Sequence, residues 1–383
     1  MGALWGGSLL AAAAAGLRLP DQDAFSLSRG EAFAATADNP SAIYYNPAGI
    51  TQLKGVNVRL GVYAIDLDPA FQPPGSGQKF HNESAWHVVP QAFCTYTPED
   101  FPLSFGLGFY TPYGLAVKWP QGAGFANLGN EAHLSYETLN PVVAWRIMPS
   151  LSIAAGATLN YSTTDLRSAL SRFNGDGTAA GYNLGARWEP CSKIALGVSY
   201  RSKTHLKYDG WREVYPPLAP ARNRADSNTR LVFPQNVIMG ISYRPTPKWN
   251  IEFNEDYTDW SSISSLEIAN FGVTPLNWRP SWFHELGVTR YFDSGWHVSG
   301  GFIYNESCVQ DSTYTPLKPE TDLYLGCAGV GYKGEHFNFD AGYQFGYGPS
   351  RTVTGSPAPF GVSADGKYSF IIHGLMVSAG WKF

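Results

Sequence analysis

From Gly55 to the last residue the chain is written in a two-residue period. In 151–161, Leu151, Ile153, Ala155, Ala157, Leu159 and Tyr161 share one face, and Ser152, Ala154, Gly156, Thr158 and Asn160 share the other. The same alternation sets Phe337, Phe339, Ala341, Tyr343 and Phe345 against Asn338, Asp340, Gly342, Gln344 and Gly346. It also sets Ile194, Leu196, Val198 and Tyr200 against Ala195, Gly197, Ser199 and Arg201. Such alternation predicts strands with one apolar face. Turn residues divide the run into fourteen of them, at about 55–66, 84–97, 102–111, 131–147, 151–165, 178–189, 194–210, 228–244, 249–260, 281–292, 296–309, 321–333, 337–349 and 367–383.

A soluble β-sandwich has the same period. Three features favour a membrane barrel. Many of the strands are longer than the roughly five or six residues usual in soluble sheets, and about nine to eleven tilted residues cross a bilayer. The connections alternate: short turns at 148–150, 189–193, 244–248, 292–295 and 333–336, and long loops near 67–83, 112–130, 211–227, 261–280, 310–320 and 350–366. The chain closes on Leu375, Val377, Ala379, Trp381 and Phe383 interleaved with small and polar residues. In lipid every backbone N–H and C=O needs a partner, so the sheet must close on itself. The fold expected is all-β, a transmembrane antiparallel barrel of about fourteen strands, with Tyr161, Trp188, Tyr200, Tyr243 and Trp282 in its aromatic girdles.

Composition agrees. Only 15% of the 383 residues are charged and 15% are aromatic, with 41 glycines, whereas ordinary globular domains carry roughly 25% charged residues. Yet the mean hydropathy is −0.19, as expected when apolar and polar positions alternate. A net charge of −4 and the lack of basic runs give no reason to expect nucleic acid. Residues 1–15, with Leu4, Leu9, Leu10 and the alanines 11–15, read as an export signal cleaved after Ala15, although no Lys or Arg precedes the apolar run. Cys94, Cys191, Cys308 and Cys327 have no metal-site spacing. Cys308 and Cys327 would meet across one hairpin in an oxidising compartment, and unpaired cysteines embedded in strands are the other reading. No G-x-S-x-G, HExxH or P-loop occurs, and no cofactor is expected.

The segment before the strands has a different texture. Residues 39–50, Asn-Pro-Ser-Ala-Ile-Tyr-Tyr-Asn-Pro-Ala-Gly-Ile, hold two Asn-Pro steps, which suit neither regular helix nor strand. A short helix is expected around Glu31–Thr36. As the substantial segment outside the wall, 16–53 is the natural occupant of the lumen, with 54–383 as the barrel. The lumen-side charges Arg187, Arg201, Glu252, Glu285 and Asp340 would bind a carboxylate or one another, and pairing with one another is the favoured reading.

Three stretches carry a family resemblance: residues 37–49, 106–115 with Trp119 beyond, and 234–245 running on to Trp260. They resemble the FadL/TodX family of outer-membrane transporters for hydrophobic compounds. The resemblance implies an N-terminal hatch plugging a fourteen-stranded barrel, with Asn46, Pro47 and Ala48 as hatch residues. It also implies a lateral opening at a kink in the third strand, where Gly106 and Gly108 lack side chains and Pro112 lacks a ladder donor; a barrel-corner glycine pattern is the other reading of these positions. The partners implied are fatty acids or hydrocarbons, outer-membrane lipid, and the barrel assembly machinery through the terminal Phe383, with the barrel acting as a monomer. A non-specific aqueous porin is the alternative, and an exported adhesive β-protein is a third class.

Overall fold

The computed structural model describes residues 16–83, 86–268, 272–358 and 361–383. The signal-like stretch 1–15 lies outside them. Fourteen strands form the wall. They are β1 (Gly55–Gln72), β2 (His87–Thr97), β3 (Leu103–Lys118), β4 (Glu131–Met148), β5 (Leu151–Arg167), β6 (Ser171–Cys191) and β7 (Ile194–Arg201 and Thr204–Val214), followed by β8 (Asn223–Phe233 and Asn236–Tyr243), β9 (Trp249–Thr258), β10 (Ser281–Tyr291), β11 (Trp296–Asn305), β12 (Leu323–Lys333), β13 (Phe337–Val353) and β14 (Gly366–Lys382). Each pairs antiparallel with its sequence neighbours, and β1 pairs with β14 from Asn57↔Lys382 to Gln72↔Lys367, which closes the barrel.

The alternation read from the sequence sorts inside from outside. On β1, Leu60 and Val62 are exposed, while Arg59, Tyr63 and Ile65 are buried. On β14, Leu375 and Val377 face out, while Met376 and Ser378 face in. The terminal Phe383 is 76% exposed, and its backbone N–H is held by Val56 O at 2.9 Å. Among the described residues all four cysteines are free.

Three local expectations change. β5 and β6, expected at about 151–165 and 178–189, run on to a tight turn at residues 168–170. β7 and β8 are each interrupted, at 202–203 and 234–235, and together they extend into what looked like a loop at 211–227. No helix forms at Glu31–Thr36; the short helices are Ala24–Ser28 and Ala42–Tyr45. The reason lies in the wall: the Ala35 and Thr36 amides donate to the Glu252 carboxylate at 2.8 and 3.0 Å, and Glu31 sits at φ 59°. Amides committed to a wall carboxylate cannot serve as helix donors.

Residues 16–52 fill the lumen and are almost all buried. Around them the inside of the barrel has two characters. Toward the short-turn end, inward positions such as Asn57, Arg59, Asn250, Glu252 and Asp340 are polar. Toward the long-loop end, they form an apolar cluster that includes Ile65, Phe283, Ile303, Leu325 and Ile372.

Candidate functional site

Two stretches of the plug stand out, and residues 46–51 form the first. Asn46 is fully buried with extended backbone and caps the 3-10 turn Pro47–Gln52, its Oδ1 accepting from Ala48 N at 3.2 Å. Proline suits this first helical position because its missing N–H would have no helical partner. Asn46 Nδ2 donates to Ala34 O within the plug (2.8 Å) and to Ala186 O on β6 (2.9 Å). Gly185 on β6 makes room for this contact: a Cβ there would lie 2.5 Å from Asn46 Oδ1 and 2.8 Å from the Pro47 ring. Thr51 Oγ1 meets Ser152 Oγ at 2.8 Å, and Arg146 donates to Thr51 O.

Residues 16–22 form the second part, an arm lying against β3. β3 pairs with β2 only from Ala92↔Phe109 to Tyr96↔Phe105. Beyond that the two strands separate. His87–Gln91 stays with β1, and Tyr113–Lys118 stays with β4 past an irregularity between Tyr110 and Tyr113. The arm covers the bared β3 edge. Leu19 N donates to Pro112 O and Gly114 N donates to Leu17 O, each at 2.9 Å, so that Arg18 stands opposite Tyr113 as one antiparallel bridge. Gln22 completes the seal: its Nε2 donates to Thr111 O (2.9 Å) and its Oε1 accepts from Thr111 N (3.3 Å). A primary amide presents one donor and one acceptor on the same side, so it substitutes for the missing strand at the peptide beside the proline.

Charges hold the plug to the wall. Arg18 donates to both Asp256 carboxylate oxygens, at 2.8 and 2.7 Å. Arg29 pairs with Glu252 at 3.4 Å. Arg59 joins Asp23 to Asp340 (2.7 Å to the latter), and Asp340 accepts from His297 at 2.8 Å. The expected pairing among the five lumen charges is therefore corrected. Glu252 and Arg187 bond plug backbone, Arg201 donates to Tyr44 O and to Tyr110 Oη on β3, Asp340 bonds Arg59 and His297, and Glu285 accepts from Asn254. A plug that brings its own arginines and amides changes which partner each wall charge finds. Within the plug, burial pushes the Asp21 carboxyl up to about 6. Burial, and then the neighbouring Asp21, raises Glu31 as well.

Beside the arm lies a small cavity of about 20 Å³, room for roughly one water. Its wall is mostly apolar, with Leu19, Phe283, Ile303 and Leu325, and it also includes Arg18, Asp21 and Asn305.

The structure thus brings Asn46, Pro47 and Ala48 together against β6, away from the β2–β3 separation. Gly106 and Gly108 sit within the regular β2–β3–β4 ladder. Their missing side chains admit Ile43 of the plug, whose atoms would lie 2.9 Å from a Cβ at either position. Pro112 lies where β3 leaves β2. Sequence reasoning missed Arg18, Gln22 and Asn305. For Arg18 a signal existed, because a guanidinium in a segment assigned to a lumen demands an inward-facing acid.

Comparison with known proteins bears on this arrangement. The family model described as "Outer membrane protein transport protein (OMPP1/FadL/TodX)" matches residues 8–373. A long-chain fatty acid transport protein of Salmonella typhi is 22% identical, over 87% of each chain. A 47 kDa outer membrane protein of Pasteurella multocida is 22% identical, over 96% of this chain and 94% of its own. Among solved structures, a Pseudomonas aeruginosa FadL homologue superposes with a TM-score of 0.87 at 18% identity, covering 96% of this chain and all of that one. The Pseudomonas putida toluene transporter TodX gives 0.78 at 14%, with the same coverage.

Proposed function

Because the chain belongs to the outer membrane protein transport family (OMPP1/FadL/TodX), we propose that this barrel carries hydrophobic molecules such as fatty acids or aromatic hydrocarbons across the outer membrane, and that they leave sideways through the wall between β2 and β3. The observation that carries the reading is the separation of those strands beyond Phe109, covered from inside by residues 17–22. An apolar solute entering the apolar outer half of the lumen gains about 25 cal/mol for each Å² it buries. Its exit needs the arm to leave the β3 edge, because among the described residues no strand of the wall pairs with that side of β3 beyond Phe109, and only its Lys118 end is bonded, by residues 82–83. The solute moves down its gradient, so the passage uses no energy source. The porin alternative is disfavoured by a lumen filled with plug residues.

The test is a removable staple. Arg18 and Tyr113 face each other as a non-hydrogen-bonded antiparallel pair, a geometry with Cα atoms about 4.5 Å apart, within disulfide range. The double variant Arg18→Cys/Tyr113→Cys is expected to lose uptake of oleate and toluene when oxidised and to regain it on reduction. Unchanged uptake by fully oxidised protein would exclude the arm as the gate.

A further inference from the structure

The outward surface of the wall is apolar and aromatic, with Phe253, Leu286 and Val298 among its side chains. β9 and β10 interrupt it. Glu255 and His284 stand directly opposite each other on these strands and point outward, since their chain neighbours Asn254, Asp256, Phe283 and Glu285 are buried on the lumen side. Both reach the surface: 31% of the Glu255 side chain and 37% of the His284 side chain are exposed. Glu255 is six residues from Trp249, where β9 leaves its short turn, and His284 is seven from Tyr291 at the matching end of β10. About nine to eleven residues cross a bilayer, so the pair lies at the depth of the hydrocarbon. Tyr257 and Trp282, one step nearer the long loops with ring centres 4.9 Å apart, mark the aromatic girdle above it.

His284 Nδ1 lies 2.8 Å from one Glu255 carboxylate oxygen, and its ring is held in place by stacking on Tyr304 with 6° between the planes. His284 Nε2 and the other Glu255 oxygen have no partner among the described residues. Hydrocarbon supplies neither donor nor acceptor, and ionisable groups on a lipid face are costly there. Lipid head groups stand at the girdle, above the pair. We infer that a second copy of this chain covers the patch: two barrels join through β9 and β10 about a two-fold axis along the membrane normal, with His284 of each donating to Glu255 of the other. Acid and base sit side by side, so such an axis turns the acid of one copy toward the base of the other at one depth. An imidazolium has two N–H donors; Nδ1 serves its own Glu255 and Nε2 serves the partner's. Two carboxylates and two imidazoliums close a neutral ring. The cross-strand pairs Phe253 with Leu286 and Tyr257 with Trp282 flank it below and above and supply the packing. This pair of barrels replaces the single barrel implied by the resemblance. It leaves the β2–β3 separation, half-way round the wall from β9 and β10, facing lipid.

The test exchanges acid and base. Full chains carrying a donor or an acceptor dye on a long loop are reconstituted together in phospholipid vesicles, and energy transfer is followed as the protein is diluted with lipid. Wild-type barrels are expected to pair. Glu255→His sets four imidazoles together, and His284→Glu sets four carboxyls together. Each variant alone is expected to pair about a hundredfold more weakly, because like charges meet. The two variants mixed place acid against base again and should regain wild-type pairing, a result that a general loss of stability does not produce. Wild-type barrels that stay single at every dilution overturn the inference with no variant needed. So do single variants, shown folded by heat-modifiable migration, that pair as the wild type does, and so does a mixture of folded variants that stays apart. Single wild-type barrels holding a lipid that Glu255→Leu barrels lack would give the patch to that lipid instead.

Discussion

The two parts of the plug are held by different kinds of contact. Residues 46–51 are locked by backbone-directed hydrogen bonds and close approaches that no side-chain rotation relieves: Asn46 on Ala34 and Ala186, and Pro47 on Gly185. Residues 16–22 are held to β3 by one antiparallel bridge and the Gln22 amide, and elsewhere by side-chain bonds that include Arg18 on Asp256, Gln344 on Asp21, Glu320 on the Gly16 amide and Tyr45 on Pro20, next to a cavity and beside the place where the wall is unpaired. The first part resembles a domain core and the second resembles an interface. Local opening free energies follow such differences in packing, so the plug can stay in the barrel while its first residues move. The resemblance pointed to Asn46, Pro47 and Ala48; the geometry makes them the fixed end.

The largest expected effect comes from breaking the fixed end. Asn46→Ala leaves Ala34 O, Ala186 O and Ala48 N without the bonds they now have, a loss of about 3 kcal/mol or more at rates of about 1 kcal/mol per bond plus the burial penalty. The unfolding midpoint, followed by heat-modifiable migration, should fall clearly, while uptake per folded molecule stays as in the parent. If uptake per folded molecule collapses instead, the fixed end takes part in passage and the division of the plug is wrong.

The arm should show the reverse. Gln22→Ala removes the two bonds that seal the Thr111 peptide, at a local cost on the order of 1–2 kcal/mol. Toluene permeation through reconstituted protein should rise severalfold with little change in the unfolding midpoint. A lowered midpoint with unaltered permeation would make Gln22 a structural rivet like Asn46.

A finer comparison sets two glycines against each other. At Gly185 an added methyl meets Asn46 Oδ1 and the Pro47 ring, which cannot withdraw; at Gly106 it meets Ile43 Cδ1 at 2.9 Å, the end of a rotatable side chain. Gly185→Ala should therefore destabilise by about 1–2 kcal/mol more than Gly106→Ala, measurable as the difference between their urea midpoints. Equal midpoints would mean that the fixed end yields as readily as Ile43 does.

How much of this was legible follows from which interactions are periodic. The wall was readable because alternation at positions such as Leu60, Val62 and Tyr63 is a local property that a barrel repeats strand after strand. The interrupted β7 and β8 were misread at 211–227, because β7 runs on to Val214 with Lys207 and Asp209 at its exposed positions rather than apolar residues. The segment before the wall was set apart by its two Asn-Pro steps and by standing outside the fourteen strands. Its internal division was not readable, because Gln22 acts through Thr111 and Asn46 through Ala186, partners 89 and 140 residues away. No pattern within the segment encodes a partner that only barrel closure brings near. The expected helix at Glu31–Thr36 failed for the same reason, since Glu252 claims its amides from across the lumen.

The smallest effect is a pH dependence confined to the arm. Asp21 is buried against Gln344, Tyr63 and Glu31, and burial lifts its carboxyl to about 6, from an ordinary value near 3.9. A carboxyl raised on folding favours the seated state while it is protonated. Its contribution is complete below about pH 4 and is lost as the pH rises through about 6, with a ceiling on the order of 3 kcal/mol. The fixed end has no such group: residues 46–51 are Asn, Pro, Ala, Gly, Ile and Thr. Raising the pH from 5 to 8 should therefore loosen the arm and leave the anchor unchanged. Hydrogen exchange of the Leu19 amide, which donates to Pro112 O, should quicken between pH 5 and pH 8 beyond its intrinsic base-catalysed increase, while that of the Ala48 amide should follow the intrinsic increase alone. Asp21→Asn keeps a group that can bond Gln344 and removes the titration, so its Leu19 amide should also follow the intrinsic rate. If the excess persists in Asp21→Asn, the arm's pH response comes from Glu31, the other carboxyl that burial raises, and Glu31→Gln is the variant that should abolish it.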